Sequence, residues 1–373
     1  MIPIFEPFFY GREREYLREC IDTGWISSQG RFIPAFEGAF AGRHDMAFGV
    51  ATSNCTTALH LSLAVLGIGP GDEVLCPDLT FIAPANMIRL TGATAVLVDV
   101  DPVSWGIDPA RIAEKITPRT RAVIVVHAFG HAADMEPIMA LAKAHGLRVI
   151  EDVAEAPGAT CRSADGVERV VGTIGDLSCY SFFANKIMTT GEGGMILTND
   201  ATFDGQLRIL RDHGMSQERR YVHEVVGFNY RMTNMQAGVG LAQLDHLDII
   251  QTRRDAQAEH YARRFAAAPR VTWRPTAPWC RPVHWLATIS LPHRDLRDPL
   301  LAHLKDRGID ARQMVYPVHM ARPYRGLHDD EDFPVSLDVS LRSLHLPSST
   351  GLLADQVDLV CDTVLAWLDV NDG

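Results

Sequence analysis

The chain has 373 residues, a length that suits two domains or one large domain with a smaller appendage. Hydrophobic residues make up 47% and charged residues 22%, enough apolar mass for a sizeable core, which excludes a disordered, fibrous or low-complexity protein. A formal charge of -11 argues against a nucleic-acid surface or an anionic membrane as partner.

In chain order, short apolar runs alternate with helical patterns from about residue 45 to 200. The predicted strands are 73–76, 94–98, 122–126, 148–150, 177–181 and 195–198, and the helices between them are 56–66, 83–90, 109–116 and 135–145. This rhythm predicts an α/β domain with a mostly parallel central sheet flanked by helices. Helical patterns follow at 203–213, 235–244 and 247–267, then a strand at 286–291 and helices at 299–307 and 354–368. We read 1–246 as a large domain and 247–373 as a smaller C-terminal α/β domain, with one continuous helix across the boundary.

Seven cysteines, scattered and without a C-x-x-C, read as reduced intracellular thiols rather than a disulfide frame or zinc site. The N-terminal residues lack the pattern of a signal peptide and no run of ~18 uncharged apolar residues has the composition of a membrane span, so a cytoplasmic location without membrane contact is expected. His127 and His131 have i,i+4 spacing, but Gly130 and the strand before it argue against a helical metal pair, and no metal is expected.

Three segments carry chemistry. In Ala51-Thr-Ser-Asn-Cys-Thr-Thr-Ala58, Ser53 or Asn54 can cap an apolar helix whose first turn contains no Asp or Glu. Small polar residues, open amide N–H groups and an uncompensated dipole make a seat for phosphate; a capped, buried helix without ligand reads the same way. Asp152 follows an apolar strand, at the edge where ligands of open α/β sheets collect; it is either a solvated strand end or a buried anion for a cationic ring nitrogen. The third segment is Ser178-Cys-Tyr-Ser181-Phe-Phe-Ala-Asn-Lys186-Ile-Met-Thr-Thr-Gly191-Glu-Gly-Gly194. Of 35 basic residues four are lysines: Lys115, Lys143 and Lys305 fall on helical patterns, whereas Lys186 lies between a strand and a glycine-rich turn. Desolvated at a sheet end, its amine is suited to attack carbonyls.

Together these segments resemble the DegT/DnrJ/EryC1 sugar-aminotransferase family, pyridoxal-phosphate enzymes with the type I aminotransferase fold. The resemblance runs from Trp25-Ile-Ser-Ser-Gln-Gly30 through Gly69-Pro-Gly-Asp-Glu-Val74, Thr80-Phe-Ile-Ala83, Glu151-Asp152 and the Lys186 segment to Gly227-Phe-Asn-Tyr-Arg-Met-Thr-Asn234. It implies that Lys186 carries pyridoxal 5'-phosphate covalently and moves a proton between cofactor and substrate carbons. It further implies that Asp152 pairs with the pyridine nitrogen, that Phe81 stacks on the ring, and that Glu155, where many relatives have Gln, lies near the ring oxygen. Phosphate contacts would come from the N–H groups of Cys55 and Thr56, the Thr56 hydroxyl, Ser181, and Asn229 of a second subunit, which requires a homodimer with shared active sites. Cys55 stands where many relatives have Gly, a change that leaves the backbone N–H in place.

The implied reaction moves the amine of L-glutamate to the 4-keto carbon of a nucleotide-linked deoxysugar, with GDP-4-keto-6-deoxy-D-mannose the expected acceptor. Another nucleotide-linked keto sugar, an aminocyclitol precursor or a dehydration are alternatives; dehydratases of the family carry His in place of the lysine, so Lys186 favours transamination. Trp25, Ser27, Arg231, His319 and Tyr324 are implied substrate contacts by family position, or residues that pack the domain interface. A non-catalytic ligand sensor on the same fold is disfavoured because no helix-turn-helix or basic region accompanies it.

Overall fold

The computed structural model describes residues 1–371, so the last two residues of the 247–373 segment lie outside the described residues. Helices α1 (Arg12–Thr23) and α2 (Phe32–Arg43) precede β1 (Phe48–Thr52), α3 (Cys55–Val65), β2 (Glu73–Pro77), α4 (Ala83–Leu90), β3 (Thr94–Val98), α5 (Pro109–Lys115), β4 (Thr120–Val126), α6 (Met135–His145) and β5 (Arg148–Asp152). Two short strands, β6 (Thr160–Arg162) and β7 (Glu168–Val170), lead to β8 (Leu177–Ser181), β9 (Gly194–Thr198), α7 (Ala201–Arg211), α8 (Asn234–Leu244) and α9 (Leu247–Ala266). The chain continues through β10 (Thr272–Trp273), β11 (Cys280–Arg281), β12 (Ala287–Ser290), α10 (Arg297–Asp306), β13 (Arg312–Gln313), α11 (Pro334–Arg342), β14 (Ser343–Leu346) and α12 (Ala354–Asn371).

The central sheet has seven strands in the order β1-β9-β8-β5-β4-β2-β3. The contiguous set from β8 to β3 pairs in parallel, while β9 runs antiparallel to both β8 and β1. Parallel strands joined by helices are covered on both faces, and their sequences are accordingly apolar throughout. Val74, Cys76, Ile124, Ile150 and Ile196 meet α3, α4 and α7 on one side. Their neighbours Leu75, Val123, Val125, Val149 and Leu197 meet α2, α5, α6 and α8 on the other, as the two-residue period of a strand requires.

A second sheet, β10-β12-β14-β13, is antiparallel and has a core of its own. Leu300 and Leu304 of α10, Val357, Val360 and Val364 of α12, and Tyr261 and Phe265 of α9 fill it. The first turn of α9, with Leu247 and Ile250, packs instead in the large core, so one helix ties both layers together. The N-terminus also crosses over: Ile2 bridges Ile309 and is buried in the smaller core. Among the described residues no helix is long and apolar enough to cross a membrane.

Three elements at the start fall outside the predicted set. The α2 sequence carries Phe32, Phe36 and Phe40, buried and four residues apart on one face, but Pro34, Gly38 and Gly42 fall between them and blunt the helical signal. The five-residue β1 contains Gly49 and ends in Thr52, and its strand character comes from pairing with β9.

Candidate active site

Four strand ends and one turn converge at the carboxyl edge of the large sheet. β1 leads into Asn54, whose side chain accepts from Thr57 N–H at 2.9 Å while Thr57 Oγ1 accepts from Asn54 N–H at 3.3 Å. This capping box starts α3 and leaves the N–H groups of Cys55 and Thr56 at an open helix terminus without an acidic residue in the first turn. β5 ends at Asp152 and β8 at Ser181. β9 begins at Gly194, paired with Ser181 on one side and Thr52 on the other, so the turn between β8 and β9, which carries Lys186, is pinned over the same edge. Gly194 permits this closure: a Cβ there would lie 2.6 Å from the backbone of Asn54.

A cavity of about 480 Å³ opens at this edge, and Cys55, Thr56, Phe81, Asp152, Glu155, Ser181 and Lys186 all line it. Asp152 is 5% exposed, accepts from Ala154 N–H at 3.0 Å, and has the Cys55 thiol 3.9 Å away. Burial pushes its carboxyl up to about 6, outweighing the Ala154 hydrogen bond; the neighbouring Glu155 charge adds to the rise. Burial, then the Asp152 charge, likewise drives the Cys55 thiol up, so it stays protonated. The side chain of Lys186 is 12% exposed and its Nζ donates to Glu155 Oε1 at 3.3 Å. Glu155 is held in turn by Phe129 N–H, which donates to Oε2 at 2.8 Å. Phe81 stands at the mouth, 62% exposed, with its ring face open.

This set of groups fits a flat, cationic ring with a phosphate arm. The buried carboxylate makes no ion pair among the described residues, the helix terminus offers N–H donors to an anion, an aromatic face is open, and a primary amine faces the space between them.

The remaining implied residues stand elsewhere. Asn229 is exposed and bridges Asp212, away from the cavity of its own chain. Trp25 and Ser27 are exposed side chains on a segment whose carbonyls accept from Asn234, at 2.8 and 2.6 Å. Arg231 is paired with Asp212. His319 and Tyr324 are buried. His319 Nδ1 lies 2.6 Å from Asp78 Oδ2 and its ring stacks on Phe333, while the Tyr324 hydroxyl donates to Asn86 Oδ1 at 2.9 Å. In this chain both act as braces between α4, the end of β2 and the segment after β13, outside the cavity.

Other groups line the cavity without having been singled out in the sequence: Phe129, Asn185, Trp285, Arg312 and His345. Three of these come from the C-terminal part, which closes over the sheet edge, and their separation from Lys186 in sequence leaves no local pattern to read. His127 and His131 are committed to the scaffold. His127 Nε2 meets the fully buried Glu151 at 2.9 Å, and His131 Nε2 accepts from Ala277 N–H at 2.9 Å.

Among known proteins, the DegT/DnrJ/EryC1/StrS aminotransferase family model matches residues 10–365. The chain is 45% identical over 362 residues to GDP-perosamine synthase of Caulobacter vibrioides, covering 96% of each protein. It is 40% identical over 363 residues to GDP-perosamine synthase of Escherichia coli O157:H7, covering 97% of each. Its structure superposes with a TM-score of 0.93 on the aminotransferase TlmJ from Streptoalloteichus hindustanus, 30% identical and covered in full on both sides. With the family model spanning nearly the whole chain and the lysine, carboxylate and helix terminus gathered in one cavity, this chain belongs to the DegT/DnrJ/EryC1/StrS aminotransferase family, whose cofactor is pyridoxal phosphate.

Proposed function

We propose that the chain transfers the amine of L-glutamate to the 4-keto carbon of GDP-4-keto-6-deoxy-D-mannose, giving GDP-perosamine. The observation that carries the transaminase reading is Lys186 Nζ, held 3.3 Å from Glu155 in the cavity that contains the buried Asp152. The two GDP-perosamine synthases, at 45% and 40% identity, support the choice of sugar.

When bound, pyridoxal phosphate supplies an electron sink for the carbon that bears the transferred nitrogen. Asp152 would hold the ring nitrogen in its protonated form, an arrangement that also gives the buried carboxylate the counter-charge it lacks. Cys55 N–H, Thr56 N–H, the Thr56 hydroxyl and Ser181 would seat the phosphate at the start of α3, and Phe81 would cover the ring face. Lys186 Nζ accepts a proton from one carbon and returns it to the other, as a positioned general base and acid. Glu155 keeps that amine in place. Asn229, exposed on its own chain, would reach the phosphate of a second copy in a homodimer. The same reading divides the chain near residue 246 and expects a cytoplasmic protein.

Release of 2-oxoglutarate from glutamate with a panel of keto acceptors tests the proposal. Turnover is expected with the GDP-linked 4-keto sugar. Turnover restricted to dTDP- or UDP-linked keto sugars or to an aminocyclitol ketone would overturn the choice of sugar, and loss of water in place of amination would overturn the reaction.

A further inference from the structure

We infer that Trp285 is a positioning residue for the catalytic amine: its indole face, together with the Glu155 carboxylate, holds Lys186 in one place whenever that amine is free and protonated. Lys186 Nζ lies 3.6 Å from the centroid of the Trp285 ring and 3.3 Å from Glu155 Oε1. An ammonium over an indole is the strongest cation–π pairing, and it is stronger where water is excluded. The inference rests on the transaminase reading, in which Lys186 is released in the first half-reaction and re-engaged in the second.

The residue is fixed by three contacts, two of them to the ring. Its Nε1–H donates to the carbonyl of Asn185, the residue before Lys186, at 2.6 Å. Its plane lies 7° from that of Phe129 with centroids 6.4 Å apart. Its own carbonyl accepts from the buried guanidinium of Arg254 at 2.8 Å. Phe129 N–H also holds Glu155, so Lys186, Trp285, Phe129 and Glu155 form a closed loop of contacts. A side chain that merely filled the wall would need none of this; Trp285 is 7% exposed and packs in the large core in any case.

The other ionisable groups around Nζ are Asp152, Cys55 and His345, which it influences electrostatically, and Glu192 and Arg312, which line the same cavity. Of the groups on this wall, the indole attracts the cation without being able to take its proton. A free lysine samples many rotamers, and misplacing a reacting group by about 1 Å costs up to ~10²-fold in rate. A neutral seat beside the cavity limits both.

The test uses the full-length protein converted by L-glutamate to its pyridoxamine-phosphate form, as wild type, Trp285→Phe and Trp285→Leu. The pH at which Lys186 is half-labelled by acetic anhydride is read by peptide mass, with exposed Lys143 as internal control. Trp285→Leu is expected to move that midpoint about one pH unit lower, a tenfold change in the proton equilibrium, because losing the π face destabilises the cation. It is also expected to lower kcat at least ~10-fold with KM for the sugar nearly unchanged, and Trp285→Phe should restore most of both. An unmoved midpoint in Trp285→Leu, or equal effects of Phe and Leu, would overturn the inference. If Trp285→Leu does not fold, Trp285→Met is read by the same criteria. Borohydride fixation of the cofactor on Lys186 is followed in each variant: its absence in the wild type would count against the functional reading, independently of the labelling result.

Discussion

Asp152→Asn should separate stability from catalysis. The carboxyl of Asp152 is raised from 3.8 to about 6, chiefly by burial. A shift of about two units corresponds to about 3 kcal/mol, paid by the cofactor-free protein whenever the group is ionised. The direction follows from proton linkage: between pH 3.8 and about 6 the folded state holds the proton more tightly than the unfolded chain, so stability falls as pH rises through that window and the full penalty stands above it. Asn keeps an oxygen for Ala154 N–H and carries no charge. At pH 8 the cofactor-free variant should therefore be more stable than wild type by up to about 3 kcal/mol, near 4 °C in Tm for a chain of this length, and the gain should vanish by about pH 4. With pyridoxal phosphate bound, the same substitution removes the counter-ion of the ring nitrogen and should lower kcat by about 10² to 10³. Thermal unfolding of both cofactor-free proteins from pH 4 to 8, with kcat at pH 8, reads both effects. A variant less stable than wild type at pH 8, or a difference independent of pH, would refute this account of a buried, uncompensated anion.

Three further outcomes follow from the geometry. Replacing Lys186 with Ala or Arg should abolish 2-oxoglutarate release, whereas Ala at the exposed Lys143 or Lys305 or the half-buried Lys115, all on helices outside the cavity, should leave kcat within about twofold. Gly194→Ala forces a Cβ to 2.6 Å from Asn54; overpacking of this kind costs about 1–3 kcal/mol, and an absorbance titration should show at least a ~10-fold weaker hold on pyridoxal phosphate. His127→Ala removes one hydrogen bond from the fully buried Glu151, which keeps the N–H donors of Gly172, Ile174 and Gly175; losing a hydrogen bond to a charged group costs about 1.5–3 kcal/mol, measurable as a lowered urea midpoint at pH 8.

Much of the fold could be read from sequence because the parallel strands are short, apolar and separated by helices. The predicted strands 94–98 and 177–181 and the helices 83–90 and 135–145 coincide with β3, β8, α4 and α6. In the small sheet β11-β6-β7, β11 meets β6 through distant pairs such as Cys161 and Cys280, and β6 and β7, at three residues each, are too short to show a period. The site divides along the same line. Lys186 stood out because a lysine between a strand and a glycine-rich turn is rare in so lysine-poor a chain, and Asp152 because it ends an apolar strand. Trp285 had no such signal: it reaches Lys186 only when β12 and its approach fold across the large sheet. The side chains of His319 and Tyr324, marked by family position, bond Asp78 and Asn86, contacts between distant segments that no local pattern announces.

The most direct measurement is to add pyridoxal phosphate, reduce with borohydride and map the modified peptide. The account predicts visible absorbance before reduction, loss of that absorbance on adding L-glutamate, and fixation of the cofactor on Lys186 alone among the four lysines of the chain. A colourless protein after adding the cofactor, or fixation on Lys115, Lys143 or Lys305 instead, would contradict it.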